Sequence, residues 1–153
     1  MKKKFKEYKQ GIFKPINADK CLNKTDIIYR SHLEFRLMLM CDKNPLVLEW
    51  SSEKVIIPYN NPVKGKVARY YMDAYIKLNT PNGPKKYLIE IKPERQTLPP
   101  TLSKRKKPST VLYENATYAV NISKWAAAKQ FAKNKGMEFM LITEKDLDKM
   151  EGK

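Results

Sequence analysis

Apolar positions early in the chain recur with a helical period. Leu33, Leu37, Met40 and Cys41 fall at i, i+4, i+7 and i+8. They start within Ser31-His32-Leu33-Glu34, whose Ser followed three places on by Glu is a capping-box pattern. Asn44-Pro45 ends this predicted helix, because a residue before proline is pushed out of the helical region. The pattern then becomes strand-like. Residues 46–50 and 54–57 read as strands with Ser51-Ser52 as the turn between them, and 67–78 as a third strand rich in Tyr, Val and Ile. The turn signal Pro81-Asn82-Gly83-Pro84 leads into a fourth run, 85–92. After Pro93 a polar stretch carries Pro99-Pro100 and the cluster Lys104-Arg105-Lys106-Lys107. Residues 110–135 read as a helix closed by Gly136, 138–142 as a short strand, and Thr143-Glu144-Lys145-Asp146 as the start of a last helix. This order predicts an α/β (α+β) domain with one mixed central sheet flanked by helices. Residues 1–15, with six lysines and the breakers Gly11 and Pro15, read as a mobile basic arm or a solubilising tail, and 16–153 as a single domain.

Charge narrows the class of function. Lys and Arg total 31 against 16 Asp and Glu, a net charge of +15, which favours a polyanionic partner, most commonly nucleic acid. No apolar stretch approaches the roughly 18–20 residues that span a bilayer. No apolar segment follows the basic first ten residues, so the expectation is a protein that is not secreted. Cys21 and Cys41 suit a reducing compartment and make neither a disulfide framework nor a zinc knuckle, Cys41 reading as a small apolar helix residue. His32 is the only histidine and reads as an exposed helix residue, which argues against Ser-His-Asp hydrolysis and a histidine zinc site. No Gly-rich phosphate loop of the Walker type is present. Trp50 and Trp125 read as core residues, and Gln96 as a polar loop residue.

The third and fourth strands bring chemistry together. With Asn82-Gly83 at the centre of their turn Asp73 faces Lys92, and with a two-residue slip it faces Glu90. Directly opposed side chains in such a pair stand roughly 4.5–5.5 Å apart at Cβ. Glu90 and Lys92 share one face, because side chains alternate along a strand. Two close carboxylates repel unless a cation lies between them. A hard ion such as Mg²⁺, or Mn²⁺ in its place, needs only one or two carboxylates and takes its remaining ligands from water and phosphate. The Ile91 carbonyl is a further candidate oxygen. Lys92 is placed to act on a water beside that ion and on transition-state charge. Glu-x-Lys alone is a weak signal, since Glu7-Tyr8-Lys9 repeats it in the arm, and a plain cross-strand salt bridge competes with the nuclease reading.

At these residues the sequence resembles the PD-(D/E)XK nuclease superfamily. Glu34, Asp73, Glu90 and Lys92 match its helix Glu, hairpin Asp and Glu-x-Lys in order. More narrowly it resembles the head completion nucleases of tailed phages, relatives of the TnsA-type transposon endonuclease. The resemblance runs through Tyr29 to Glu34, Asn44-Pro45, Glu49-Trp50-Ser51-Ser52-Glu53, Ile57-Pro58-Tyr59, Tyr71-Met72-Asp73 and Glu90-Ile91-Lys92-Pro93, over roughly residues 27–147. Met72 stands where the motif usually has Pro, which removes no ligand.

The resemblance implies a restriction-endonuclease-like core and a Mg²⁺-dependent endodeoxyribonuclease. DNA is the implied substrate, and capsid, portal or neck proteins are candidate partners, in virion and host cytoplasm. It implies Asp73, Glu90 and the Ile91 carbonyl as metal ligands, with Lys92 acting on the water and Glu34 assisting. Glu34 has the second reading of a plain helix cap, and Arg30 that of a phosphate contact or an ion-pair partner of Glu34. Lys104, Arg105, Lys106 and Lys107 are the expected backbone-tracking DNA contacts, against the alternative of a solvated charge run. Two rival functions remain at this level: a non-catalytic head component that binds packaged DNA ends, and a basic RNA-binding protein.

Overall fold

The computed structural model describes residues 10–152. Strands β1 (Gly11–Phe13) and β2 (Ile27–Tyr29) precede helix α1 (His32–Lys43). There follow β3 (Val47–Ser52), β4 (Ile56–Asn61), β5 (Lys66–Tyr71), β6 (Ala74–Thr80) and β7 (Gly83–Ile91). Helix α2 (Pro108–Asn134), β8 (Glu138–Ile142) and α3 (Glu144–Met150) complete the described chain. The central sheet has the order β3-β6-β7-β8, while β1-β2 and β4-β5 form separate two-stranded sheets. β3, β6 and β7 run antiparallel, and β8 pairs parallel to β7, so the sheet is mixed as expected.

Alternation along the central strands divides the core between two faces. Ile89 and Ile91 point to one face, where they pack with Val47, Trp50, Ala74 and Ile76 under Leu37, Met38 and Cys41 of α1 and Leu147 of α3. Leu88 points to the other, with Tyr75 and with Ile57, Tyr59, Tyr70 and Met72 from the β4–β5 region, under Trp125, Ala128 and Ala132 of α2. The small, fully buried Ala128 and Ala132 let α2 lie close to this face. Arg36 ties α1 to α3 through Asp148 at 2.6 Å and Glu151 at 2.9 Å.

The central hairpin has one definite register. Ala74 pairs with Ile89 and Thr80 with Gly83, so Pro81-Asn82 occupies the turn centre rather than Asn82-Gly83. Gly83 there has a φ of 102°, open to glycine and strained for other residues. Continuing this ladder by one step sets Asp73 opposite Glu90, the slipped alternative of the two. Beyond the hairpin, β8 anchors the end of β7. The Lys92 N–H donates to the Ile142 carbonyl at 2.9 Å, and the Glu94 N–H to the Glu144 carboxylate at 2.8 Å.

Four expectations are corrected. Residues 67–78 are not one strand, because the chain bends at Met72-Asp73 and β5 leaves for β4. The Met72 N–H donates to the Val55 carbonyl at 2.9 Å, and the Met72 side chain is buried on the α2 face. Ser51-Ser52 is not a turn, since both residues pair with β6, and the reversal comes after them at Glu53, with φ 51°. Helix α2 begins at Pro108 rather than 110, proline being suited to a first helical position. The lysines of residues 1–9 lie outside the described residues, but Gly11–Phe13 is a strand and not part of an arm. Phe13 is buried edge-on against Phe35 and Trp50, and the Asp42 carboxylate accepts the Ile16 and Asn17 N–H groups at 3.0 and 2.8 Å.

Candidate active site

Glu90 lies one residue from the end of β7, on the α2 face, and is only 5% exposed. Its two carboxylate oxygens have different partners. Oε2 accepts the Tyr70 hydroxyl at 2.7 Å, and Oε1 lies 3.2 Å from Lys92 Nζ. Lys92 is two residues on, hence on the same face, and its side chain reaches partly into solvent at 23% exposure.

Asp73 occupies the bend between β5 and β6. Its Oδ2 accepts the Ile91 N–H at 2.8 Å. Ile91 therefore turns its backbone polar groups toward Asp73, while the neighbouring Lys92 N–H serves β8. Because the N–H and C=O of a strand residue point to the same side, the Ile91 carbonyl faces the Asp73 side as well. Asp73 and Glu90 are neighbours across the hairpin, Ala74 pairing with Ile89 in the step before them. Burial, and next the Glu90 charge, push the Asp73 carboxyl well above the ordinary carboxylate range; the Ile91 N–H opposes that shift, and the charge of Glu34 adds to it.

Glu34 comes from α1 and shares with Asp73 a small, mainly apolar cavity of about 10 Å³, room for about one water molecule, that Trp50, Ser52 and Ala74 also line. Half of the expected capping box is present. Ser31 Oγ accepts the Glu34 N–H at 3.1 Å, but the Glu34 carboxylate accepts from the Arg30 N–H at 2.9 Å instead of from Ser31. Burial raises the Glu34 carboxyl above its usual value, the Arg30 N–H opposes this, and the charge of Glu53 adds to it. The Arg30 guanidinium pairs with Glu53, so its partner is neither Glu34 nor open solvent alone.

The structure thus brings Asp73, Glu90, Ile91 and Lys92 together, with Glu34 across a small gap from Asp73. The basic loop lies apart from them in sequence, ahead of α2. Lys104, Arg105 and Lys107 are exposed there. Lys106 is held at home by the Thr101 carbonyl at 2.9 Å and Glu114 at 2.8 Å. His32 is exposed, both tryptophans are buried, and both cysteines are free and buried.

A dedicated metal cage is not what this site offers. Among the described residues no group of three or more His, Cys, Asp and Glu is arranged to hold an ion. Two adjacent carboxyl groups and a backbone carbonyl suit Mg²⁺, which keeps several waters, better than Zn²⁺ or a Ca²⁺ cage. Their mutual repulsion is the feature an ion would relieve.

Sequence reasoning missed Tyr70 and Glu53. Both depend on the bend at Asp73, which carries β5 out of the central sheet and brings the Glu53 N–H within 3.4 Å of the Asp73 carbonyl. No local pattern in the sequence marks that bend.

A mixed four-stranded sheet with this hairpin at its centre and helices on both faces is the fold of restriction-endonuclease-like nucleases. Residues 44–144 match the family model described as TnsA-like endonuclease N terminal. The chain is also 36% identical over 127 residues to the head completion nuclease of Enterobacteria phage T4, covering 79% of this chain and 81% of that protein. The chain belongs to the TnsA-like endonuclease family. Glu34 precedes the segment that the family model matches.

Proposed function

We propose that this protein is a Mg²⁺-dependent DNA endonuclease, with Mn²⁺ as an alternative ion, that acts in phage head completion after packaging and before head–tail joining. The observation that carries the reading is the buried Glu90 with Lys92 3.2 Å away and the half-buried Asp73 beside it, on the Ile91 N–H at 2.8 Å. The likeness to a protein named head completion nuclease supports the setting. DNA is the substrate in this reading, capsid, portal or neck proteins are candidate partners, and the place of action is the virion and the host cytoplasm. No helix among the described residues is long and apolar enough to cross a membrane.

Asp73, Glu90 and the Ile91 carbonyl would hold the ion. Once bound, the ion supplies an activated water and polarises the scissile phosphate. Lys92 orients that water from the Glu90 side and offsets charge that builds on the phosphate oxygens. Glu34, whose carboxyl holds its proton more tightly than an exposed one, lies across the cavity from Asp73 and positions solvent there. Lys104, Arg105 and Lys107 neutralise backbone phosphates without selecting a base sequence.

Plasmid cleavage with and without Mg²⁺ tests the reading. Wild type is expected to cut only with the ion, Asp73→Ala not at all and Lys92→Ala roughly 10²–10³-fold more slowly, while all three bind DNA. Equal cutting by the three proteins, each free of contaminating nuclease, excludes these residues from the mechanism.

A further inference from the structure

Glu90 is held by a residue that does not belong to its sheet. Tyr70 lies on β5, in the outlying β4–β5 sheet, yet its hydroxyl donates to Glu90 Oε2 at 2.7 Å. The ring that carries this hydroxyl has little room to move. Tyr70 is 3% exposed and packs edge-on against Tyr59, with centroids 6.3 Å apart and planes at 77°. Lys124, from α2, sets its ammonium 5.3 Å from the Tyr70 ring centroid and 5.6 Å from that of Tyr59. Such a cation over two ring faces adds electrostatic attraction to the packing.

A buried tyrosine hydroxyl needs an acceptor, and any carbonyl would serve for stability alone. This one takes a carboxylate oxygen one strand position from Ile91 and beside Asp73. With Lys92 on Oε1 and Tyr70 on Oε2, both ends of the Glu90 carboxylate are fixed, and so is the direction of its remaining lone pairs. Outer partners of this kind set the orientation of metal-ligating carboxylates.

We propose that Tyr70 is a positioning residue for the nuclease site: its hydroxyl sets the rotamer of Glu90, so that the remaining lone pairs of Glu90 and the free oxygen of Asp73 face one ion. The β4–β5 sheet and Lys124 hold Tyr70 in place for this. The inference rests on the reading of Asp73 and Glu90 as metal ligands.

The test uses the full chain and Mn²⁺ as the probe. Mn²⁺ affinity is measured by electron paramagnetic resonance or calorimetry for wild type, Tyr70→Phe, Tyr59→Phe and Asp73→Ala, with thermal melts in chelator alongside. Tyr70→Phe removes one oxygen and is expected to weaken Mn²⁺ binding roughly ten- to a hundredfold. Its cleavage is expected to move to higher Mn²⁺ and recover at saturation. Tyr59→Phe, in the same aromatic cluster but with its hydroxyl beside Asn61 rather than Glu90, is expected to keep wild-type affinity. Wild-type affinity in Tyr70→Phe, with binding lost in Asp73→Ala, overturns the role of Tyr70 alone. A Tyr70→Phe protein that melts lower but binds Mn²⁺ as wild type does overturns it too, leaving a structural tyrosine. Undiminished binding in Asp73→Ala overturns the metal reading beneath it, and this inference with it.

Discussion

The carboxylate of Asp73 takes the backbone N–H of Ile91 at 2.8 Å, so a side chain at a bend stands where the next main-chain partner of β7 would be. The acid that breaks one strand thereby completes the hydrogen bonding of another. Asp73→Ala then loses two things at once, an ion ligand and the partner of a partly buried N–H. Asp73→Asn keeps an acceptor and loses the charge. It is expected to melt at or above wild type in chelator, to be as inactive as Asp73→Ala, and to gain no stability from added Mg²⁺, where wild type does gain.

Lys92 lies at the open side of the site, and its loss is expected to act on rate. Lys92→Ala is expected to lower turnover at saturating Mg²⁺ by roughly 10²–10³-fold, the usual loss on removing one charge-stabilising donor. DNA affinity, measured with Ca²⁺ in place of Mg²⁺, is expected to change little. An equal loss in affinity and turnover would make Lys92 a DNA anchor instead.

Stability is expected to respond to pH through Glu34. Its carboxyl is raised by burial above the value near 4.3 of an exposed glutamate, so the folded chain binds its proton more tightly than the unfolded chain does. The sign follows from linkage: the contribution of Glu34 is fully present below the unfolded-state pKa and is lost as pH rises through the folded one. The groups around it are Arg30, Ser31, Glu53 and Asp73. In chelator, wild type is therefore expected to lose stability relative to Glu34→Gln as pH rises from about 4 toward neutrality. A difference between the two melting curves that does not vary with pH would refute this.

The start of α1 carries a second stability test. Ser31 Oγ accepts the Glu34 N–H at 3.1 Å, and Ser31→Ala is expected to cost about 1 kcal/mol in denaturant unfolding. Because Glu34 sits in that first turn, a drop in activity larger than the drop in folded protein would tie this cap to the site.

Among the loop cations, Lys104, Arg105 and Lys107 are exposed, and replacing all three with Ala is expected to weaken DNA binding about equally for all sequences. The slope of log affinity against log salt is expected to flatten by roughly 0.9 for each phosphate that is no longer neutralised. Lys106→Ala is expected to flatten it less, since Lys106 is already paired with Glu114. Unchanged slopes in the triple variant would place the DNA elsewhere.

Much of this arrangement is legible in the sequence because it is local. The hairpin follows from Pro81-Asn82-Gly83 between alternating runs, and the shared face of Glu90 and Lys92 follows from strand geometry alone. Its register is not legible, since a turn centred on Pro81-Asn82 and one centred on Asn82-Gly83 both suit the same residues. The bend at Asp73 is hidden for a different reason. Residues 67–78 are rich in strand-forming Tyr, Val and Ile, Asp73 alone being strongly disfavoured in a strand, and the break is decided by distant partners, the Val55 carbonyl for Met72 and the Ile91 N–H for Asp73. Tyr70 cannot be read as a site residue without that break. Phe13 likewise reads as part of a basic arm because its neighbours include lysines, whereas Phe35 and Trp50 decide its place.

The parallel strand that comes last in the sheet has a consequence for synthesis. β3, β6 and β7 emerge from the ribosome well before β8, yet the Lys92 backbone is pinned by Ile142 and the segment after it by Glu144. A nascent chain that has reached only α2 holds both acids and the lysine without the clamp that fixes them. The hydrogen bonding around the acids and the lysine is thus complete only once the chain through Glu144 has folded.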